Sequence, residues 1–201
     1  MRFNFGASGG LARQIEAGAP VDLFASAAQR DMDDIEKKGL ISPGTRLNFA
    51  RNSVVLVKPA MSDIRVESFE DLRKAGVKKI VIGNPRTVPA GRYAEEVLKH
   101  FKLWDGIMVK LIFAEHARQS LDYVARNEVD AALVYSTDAM VRSKEVRVIL
   151  KAPEGSHQPV VYPIGVVKGS KNESLARDFI TLLISVEGKN ILKKYGFETV
   201  N

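Results

Sequence analysis

Four short stretches of this sequence could do chemistry, and they share one pattern. They are Ser8-Gly9-Gly10, Val88-Pro89-Ala90-Gly91, Glu115-His116-Ala117 and Tyr135-Ser136-Thr137. Each follows a short apolar run and opens an amphipathic one, so each reads as a strand running into a helix start. The first amides of a helix have no partner inside it, and the positive end of its dipole lies there. Ligands collect at the carboxyl ends of strands in open α/β sheets. Several helix starts around one guest would form an anion cage made of neutral donors. The hydroxyls of Ser8 and Tyr135 could add to it.

A plainer reading competes. Ser, Gly and Pro at helix starts are ordinary capping chemistry. Tyr135 at a strand end is more often a half-buried packing residue. Arg13, Arg92 and Arg118 lie inside three of these helices and could be anion ligands, but the expectation is that they are solvated or pair with Glu16, Glu95 and Asp122. The lone histidines read as surface residues or ordinary polar contacts, and Phe101 and Trp104 as core.

Other chemistries are excluded or unsupported. The chain has no cysteine, which removes disulfides, thiolate metal sites and cysteine nucleophiles. His100, His116 and His157 are far apart and show no metal-ligand spacing. No hydrolase, P-loop, dinucleotide or zinc-protease motif is present. The Gly-rich turn at 6–10 lacks the lysine of a phosphate loop. Net charge is +6, which favours an anionic partner. Basic and acidic residues are interleaved, however, with no run of five like charges, so nucleic acid is not expected as a partner. No apolar run approaches the length of a membrane span.

These junctions need elements to hold them. The 201 residues suit one domain or two small lobes. The pattern predicts strands at 3–5, 21–25, 53–57, 79–83, 111–113, 131–135, 146–150 and 160–167. Helices are predicted over 11–17, 30–38, 89–101 and 117–127, with a short one after a capping box at Ser68-Phe69-Glu70-Asp71 and another capped at 136–138. Two closing helices carry Leu175, Phe179, Leu182 and Leu183, then Ile191, Leu192 and Tyr195. Gly18, Gly39 and Gly196 read as helix stops. Strand–helix alternation predicts an α/β fold with mostly parallel sheets flanked by helices. The expected division is a discontinuous lobe I (1–58 plus 160–201) and a lobe II (59–159).

At these residues the sequence resembles a known family, the molybdate-binding proteins of ABC importers (ModA-like). The matching stretches are Phe5-Gly6-Ala7-Ser8-Gly9-Gly10-Leu11-Ala12-Arg13-Gln14-Ile15-Glu16-Ala17-Gly18-Ala19-Pro20-Val21-Asp22-Leu23-Phe24, Val88-Pro89-Ala90-Gly91-Arg92-Tyr93-Ala94, Val134-Tyr135-Ser136-Thr137-Asp138-Ala139, Ser156-His157 through Tyr162-Pro163, and Lys194-Tyr195-Gly196-Phe197. They run in the family's order over essentially the whole chain. The resemblance implies a type II periplasmic-binding-protein architecture holding a tetrahedral oxyanion, molybdate or tungstate, between its lobes. Carried over, the contacts are Ser8 by hydroxyl and amide, the amides of Ala90 and Ala117, and the Tyr135 hydroxyl. Family members often carry Val at position 117, and a backbone donor survives Ala there. None of these four residues supplies a carboxylate acceptor, which suits a fully ionised dianion better than protonated phosphate. No metal cation or cofactor is implied.

The resemblance also implies a solute-binding protein outside the cytoplasm that delivers its anion to a membrane permease and catalyses nothing. The family begins with a further strand, a Ser-containing loop and a helix. Their expected absence here, together with that of a signal peptide, implies a first lobe truncated at its N-terminus, with a swapped or oligomeric assembly as one way to fill it. Losing two charge-assisted hydrogen bonds with that loop would cost about 3–6 kcal/mol, so weakened or absent binding is expected. Two alternatives stand beside the transport reading. One is an enzyme on the same scaffold using Asp138 or Glu115. The other is a cytoplasmic oxyanion sensor or a nonfunctional remnant.

Overall fold

The computed structural model describes residues 1–200. In chain order the strands are β1 (Leu23–Ala25), β2 (Leu47–Arg51), β3 (Val54–Pro59), β4 (Ile80–Gly83), β5 (Leu111–Ala114), β6 (Ala131–Tyr135), β7 (Val146–Lys151), β8 (Val161–Val166) and β9 (Glu198–Thr199). The α-helices are α1 (Ser8–Glu16), α2 (Gln29–Lys37), α3 (Pro89–His100), α4 (Trp104–Ile107), α5 (Ala117–Ala125), α6 (Ser136–Val141), α7 (Glu173–Ile184) and α8 (Val186–Lys194). The chain divides into two compact units, Met1–Asn52 with Val160–Asn201, and Ser53–Pro159.

The second unit holds a five-stranded sheet of order β5-β4-β6-β3-β7. β4 pairs in parallel with β5 and β6, while β3 is antiparallel to β6 and β7. All of β4 and β6 is buried, as their unbroken apolar runs require of strands covered on both faces. α5 lays Leu121 and Val124 onto Val55, Val57, Val81 and Val134. Full burial of one such side chain contributes about 1.5–3 kcal/mol. Residues 53–58, grouped with the first lobe on sequence, are hydrogen bonded into this second sheet through β3.

The first unit holds a four-stranded sheet of order β1-β8-β2-β9. The expectation of mostly parallel pairing fails here, since every pairing is antiparallel. β1 and β2 run the same way, but β8 returns from the second crossing and lies between them. A strand entering there runs against both neighbours. α1 and α2 pack Ala12, Ile15, Met32 and Ile35 around Phe24. α7 places Ala176 and Ile180 against Ile164 and Val166. Gly18 and Gly39 hold positive φ directly after α1 and α2, as expected of helix stops.

Three sequence expectations are corrected. Residues 3–5 form no strand: Phe3 and Phe5 stay exposed and stack on each other at 6.0 Å. Without a neighbouring chain to accept hydrogen bonds, a β-prone tripeptide has no ladder to join. The capping box at 68–71 forms only in half: Asp71 reaches back to the Glu67 and Ser68 amides, no side chain caps the helix start, and a single 3₁₀ turn, Glu70–Arg73, follows. α6 starts one residue earlier than expected: Tyr135 holds the N-cap position with no side-chain cap, and residues 136–138 already lie inside the helix, where the Ser136 amide donates to the Ser53 carbonyl.

Candidate functional site

Three of the four junctions share one edge of the second unit. β5, β4 and β6 are adjacent and parallel, so their carboxyl ends point the same way. α3 follows β4, α5 follows β5 and α6 follows β6. The mouths carrying Ala90, Ala117 and Tyr135 therefore open on one side of the sheet, where ligands of such folds collect.

The turn into α3 is closely tied. The Asn84 amide donates to the Ala114 carbonyl at 2.8 Å, and the Asn84 carbonyl accepts the amides of Thr87 and Val88. Pro89 occupies the first helical position and has no N–H to offer. Gly91 and Arg92 donate to the Val88 carbonyl. Ala90 is left as the first-turn amide with no acceptor in the backbone ladder. Gly91 has no substitute: a Cβ there would lie 2.0 Å from the Gly83 carbonyl oxygen. The helix start thus sits directly on the end of β4.

α5 begins after His116, whose Nδ1 accepts the Gln119 amide at 3.1 Å. The His116 carbonyl accepts the amides of Gln119 and Ser120. The Ala117 and Arg118 amides come before these and have no intrahelical acceptor. The Ser120 hydroxyl, one turn further in, is buried without a hydrogen-bond partner. Tyr135 is buried at the start of α6, its ring edge-on to Tyr93 at 6.4 Å. Tyr93 in turn meets His157 edge-on at 5.8 Å. Tyr93 thus packs on Tyr135, with His157 packed on Tyr93 in turn.

Ser8 belongs to the first unit and opens α1. Its hydroxyl oxygen accepts the Ala27 amide at 3.0 Å, which ties the helix start to the loop after β1. A serine hydroxyl that accepts still has its own hydrogen to donate.

Neither Arg13 with Glu16 nor Arg118 with Asp122 forms the expected pair. Glu16 pairs with Lys38, Glu95 with Lys99, and Asp122 with Arg142. Arg118 reaches across to Asp138 of α6 at 3.5 Å instead. Burial pushes the Asp138 carboxyl above its ordinary value, and Arg118 only partly offsets this. Among the described residues no three His, Asp or Glu side chains come close enough together to hold a metal ion. No helix among them is long and apolar enough to cross a membrane.

Residues 1–198 match the family of bacterial extracellular solute-binding proteins. The chain belongs to this family. It is 42% identical over 200 residues to the molybdate-binding protein ModA of Escherichia coli, spanning 96% of this chain and 76% of that one. ModA of Haemophilus influenzae is 38% identical, over 97% of this chain and 77% of its own. Among solved structures, the Azotobacter vinelandii periplasmic molybdate-binding protein superposes with a TM-score of 0.85 at 24% identity, covering 98% and 86% of the two chains. The Mycobacterium tuberculosis sulfate-binding protein SubI superposes at 0.83, with 16% identity and 98% and 75% coverage. The fold is the type II periplasmic-binding-protein fold, and the α/β class read from the sequence holds.

Sequence reasoning missed the supporting residues of this solute-binding scaffold. Tyr93 lies four residues after Pro89, one helical turn inside α3, so its inward side was legible from spacing. Asp138 as partner of Arg118 was not legible, because the two lie on different helices.

Proposed function

We propose that the chain is the solute-binding component of a molybdate or tungstate importer. It takes up the oxyanion through neutral donors and passes it to a membrane permease. The donors are the Ser8 hydroxyl and amide of the first unit, and the Ala90 amide, the Ala117 amide and the Tyr135 hydroxyl of the second. The family's description as extracellular and its named molybdate-binding relatives support this reading.

One structural observation carries it. Helices α1, α3 and α5, whose starts bear Ser8, Ala90 and Ala117, have no acidic residue in their first turn. Each of the other α-helices has one: Asp31, Asp105, Asp138, Glu173 and Glu187. A first-turn carboxylate is the usual complement of the dipole, worth about 0.3–1 kcal/mol. Three helices forgo it at the same kind of junction, and a bound dianion would supply what is missing. Neutral donors also avoid burying a permanent cation when the site is empty.

In this reading the protein works by binding and release, with no covalent step. The enzyme alternative would need an acid or base aimed at a substrate; Asp138 lies 3.5 Å from Arg118, and the Glu115 carboxylate is exposed, which favours binding over catalysis. Calorimetric titration with molybdate, tungstate, sulfate and phosphate tests the reading. The first two should release heat and the last two little. Tyr135→Phe should weaken molybdate binding about tenfold or more, the loss of one hydrogen bond to a charged group, with unchanged thermal unfolding. Equal affinity for all four anions, or no binding of any, sinks the proposal. We further infer that β1, paired on one side only, can accept an additional strand from a second copy. Light scattering that gives a monomer at all concentrations would rule that out.

A further inference from the structure

Arg118 is oddly placed. It is the second residue of α5, where a cation opposes the helix dipole instead of complementing it. It directly follows Ala117, whose amide is one of the proposed donors. Its guanidinium is about half exposed, with 49% of the side chain open, whereas the Asp138 side chain facing it is only 13% exposed. The gap of 3.5 Å exceeds that of a charge-assisted hydrogen bond, so this is a loose Coulombic contact. One turn further along the same helices, Asp122 and Arg142 meet at 2.9 Å with the polarity reversed. That second rung already ties α5 to α6, and Arg142 is further engaged by Glu145. The first rung is therefore not needed as a clamp. It is also the rung that lies at the mouths, and Asp138 is the single first-turn carboxylate among α3, α5 and α6.

We propose that Arg118 sets the affinity of the oxyanion site and that Asp138 restrains it. This deepens the molybdate reading and rests on it. With the site empty, the pair is close to neutral, and Asp138 faces a cation at the mouths. A dianion arriving at the Ala117 amide meets a half-exposed guanidinium one residue away and within a Debye length. Asp138 limits how far that cation can turn toward the guest, and its own charge repels the guest. The pair thus holds binding strong enough for capture and weak enough for release. Arg118 acts through its charge, as a positioning residue, and the donors remain the amides and hydroxyls.

The test is calorimetric titration of sodium molybdate into the full chain and its Arg118→Gln, Arg118→Lys, Asp138→Asn and double Arg118→Gln/Asp138→Asn variants, at low and high ionic strength. Arg118→Gln should weaken binding about threefold to tenfold at low salt and less at high salt. Arg118→Lys should restore most of the loss, because charge rather than shape is at work. Asp138→Asn should tighten binding by a similar factor, with a steeper salt dependence, and the double variant should fall between the two singles. If Arg118→Gln and Asp138→Asn both weaken binding, or neither changes it while the wild type binds, the pair is only structural and the proposal is overturned. If the wild type binds no molybdate at all, the functional reading itself has failed, and this inference falls with it.

Discussion

The α1 mouth of the first unit and the α3 mouth of the second unit read alike in sequence, yet they are built differently. Both are Gly-rich starts after an apolar run. At α3, Gly91 lies against the backbone of Gly83 and Asn84, so the helix is seated on its strand. At α1, a Cβ on Gly10 would meet nothing within 4 Å, and the start is held by one side-chain bond from Ser8 to the Ala27 amide. The surrounding units differ in the same direction. α3 buries residues along its length, including Ala94, Val97 and Leu98, while α7 of the first unit buries Ala176 and Ile180. Leu175, Leu182, Val186 and Ile191 remain exposed on α7 and α8. The second unit therefore offers three mouths in a fixed frame, and the first offers one on a lighter support.

Paired substitutions can break this comparison. Gly91→Ala should lower stability by about 4 kcal/mol or more, since helix and strand backbones must part. Gly10→Ala should be neutral or stabilise by about 0.5–1 kcal/mol, because the helix gains an alanine and meets no clash. Urea unfolding of both variants reads the difference, and equal losses would mean the two mouths are built alike. A second pair probes the packing. Leu98→Ala, with its side chain fully buried, should cost about 2–4 kcal/mol. Leu182→Ala, half exposed, should stay within about 0.5 kcal/mol. A large loss from Leu182→Ala would show that the exposed face of α7 is covered in solution.

The smallest expected effect concerns Asp138. Its folded pKa is raised above 3.8 by burial. The stability linked to its protonated form is therefore present below that ordinary value and is lost as pH rises through the raised one. Asp138→Asn should remove this dependence and flatten the curve of unfolding midpoint against pH by about 1 kcal/mol or less. Arg118 is the charged group acting on this carboxyl, since Asp122 and Arg142 satisfy each other. An unchanged curve would place Asp138 in solvent.

Much of this was legible in the residues alone. Pro89 marks the first turn of α3, and Gly18 and Gly39 end α1 and α2, because local backbone chemistry decides these without help from distant residues. The four helix starts that carry Ser8, Ala90, Ala117 and Tyr135 follow from the same local rules. Pairing did not. Whether a strand runs with or against its neighbour, as β8 does between β1 and β2, depends on where the chain returns from. Charge partners failed for the same reason. Arg13 and Arg118 each had a carboxylate close by in sequence, but those carboxylates found other cations. A half-exposed side chain gains little from any one surface partner, so small differences in tertiary geometry choose among them. Sequence spacing determined which amides are left open at the helix starts. Only the folded second unit decided that Ala90, Ala117 and Tyr135 share one edge, and that Arg118 stands beside them facing Asp138.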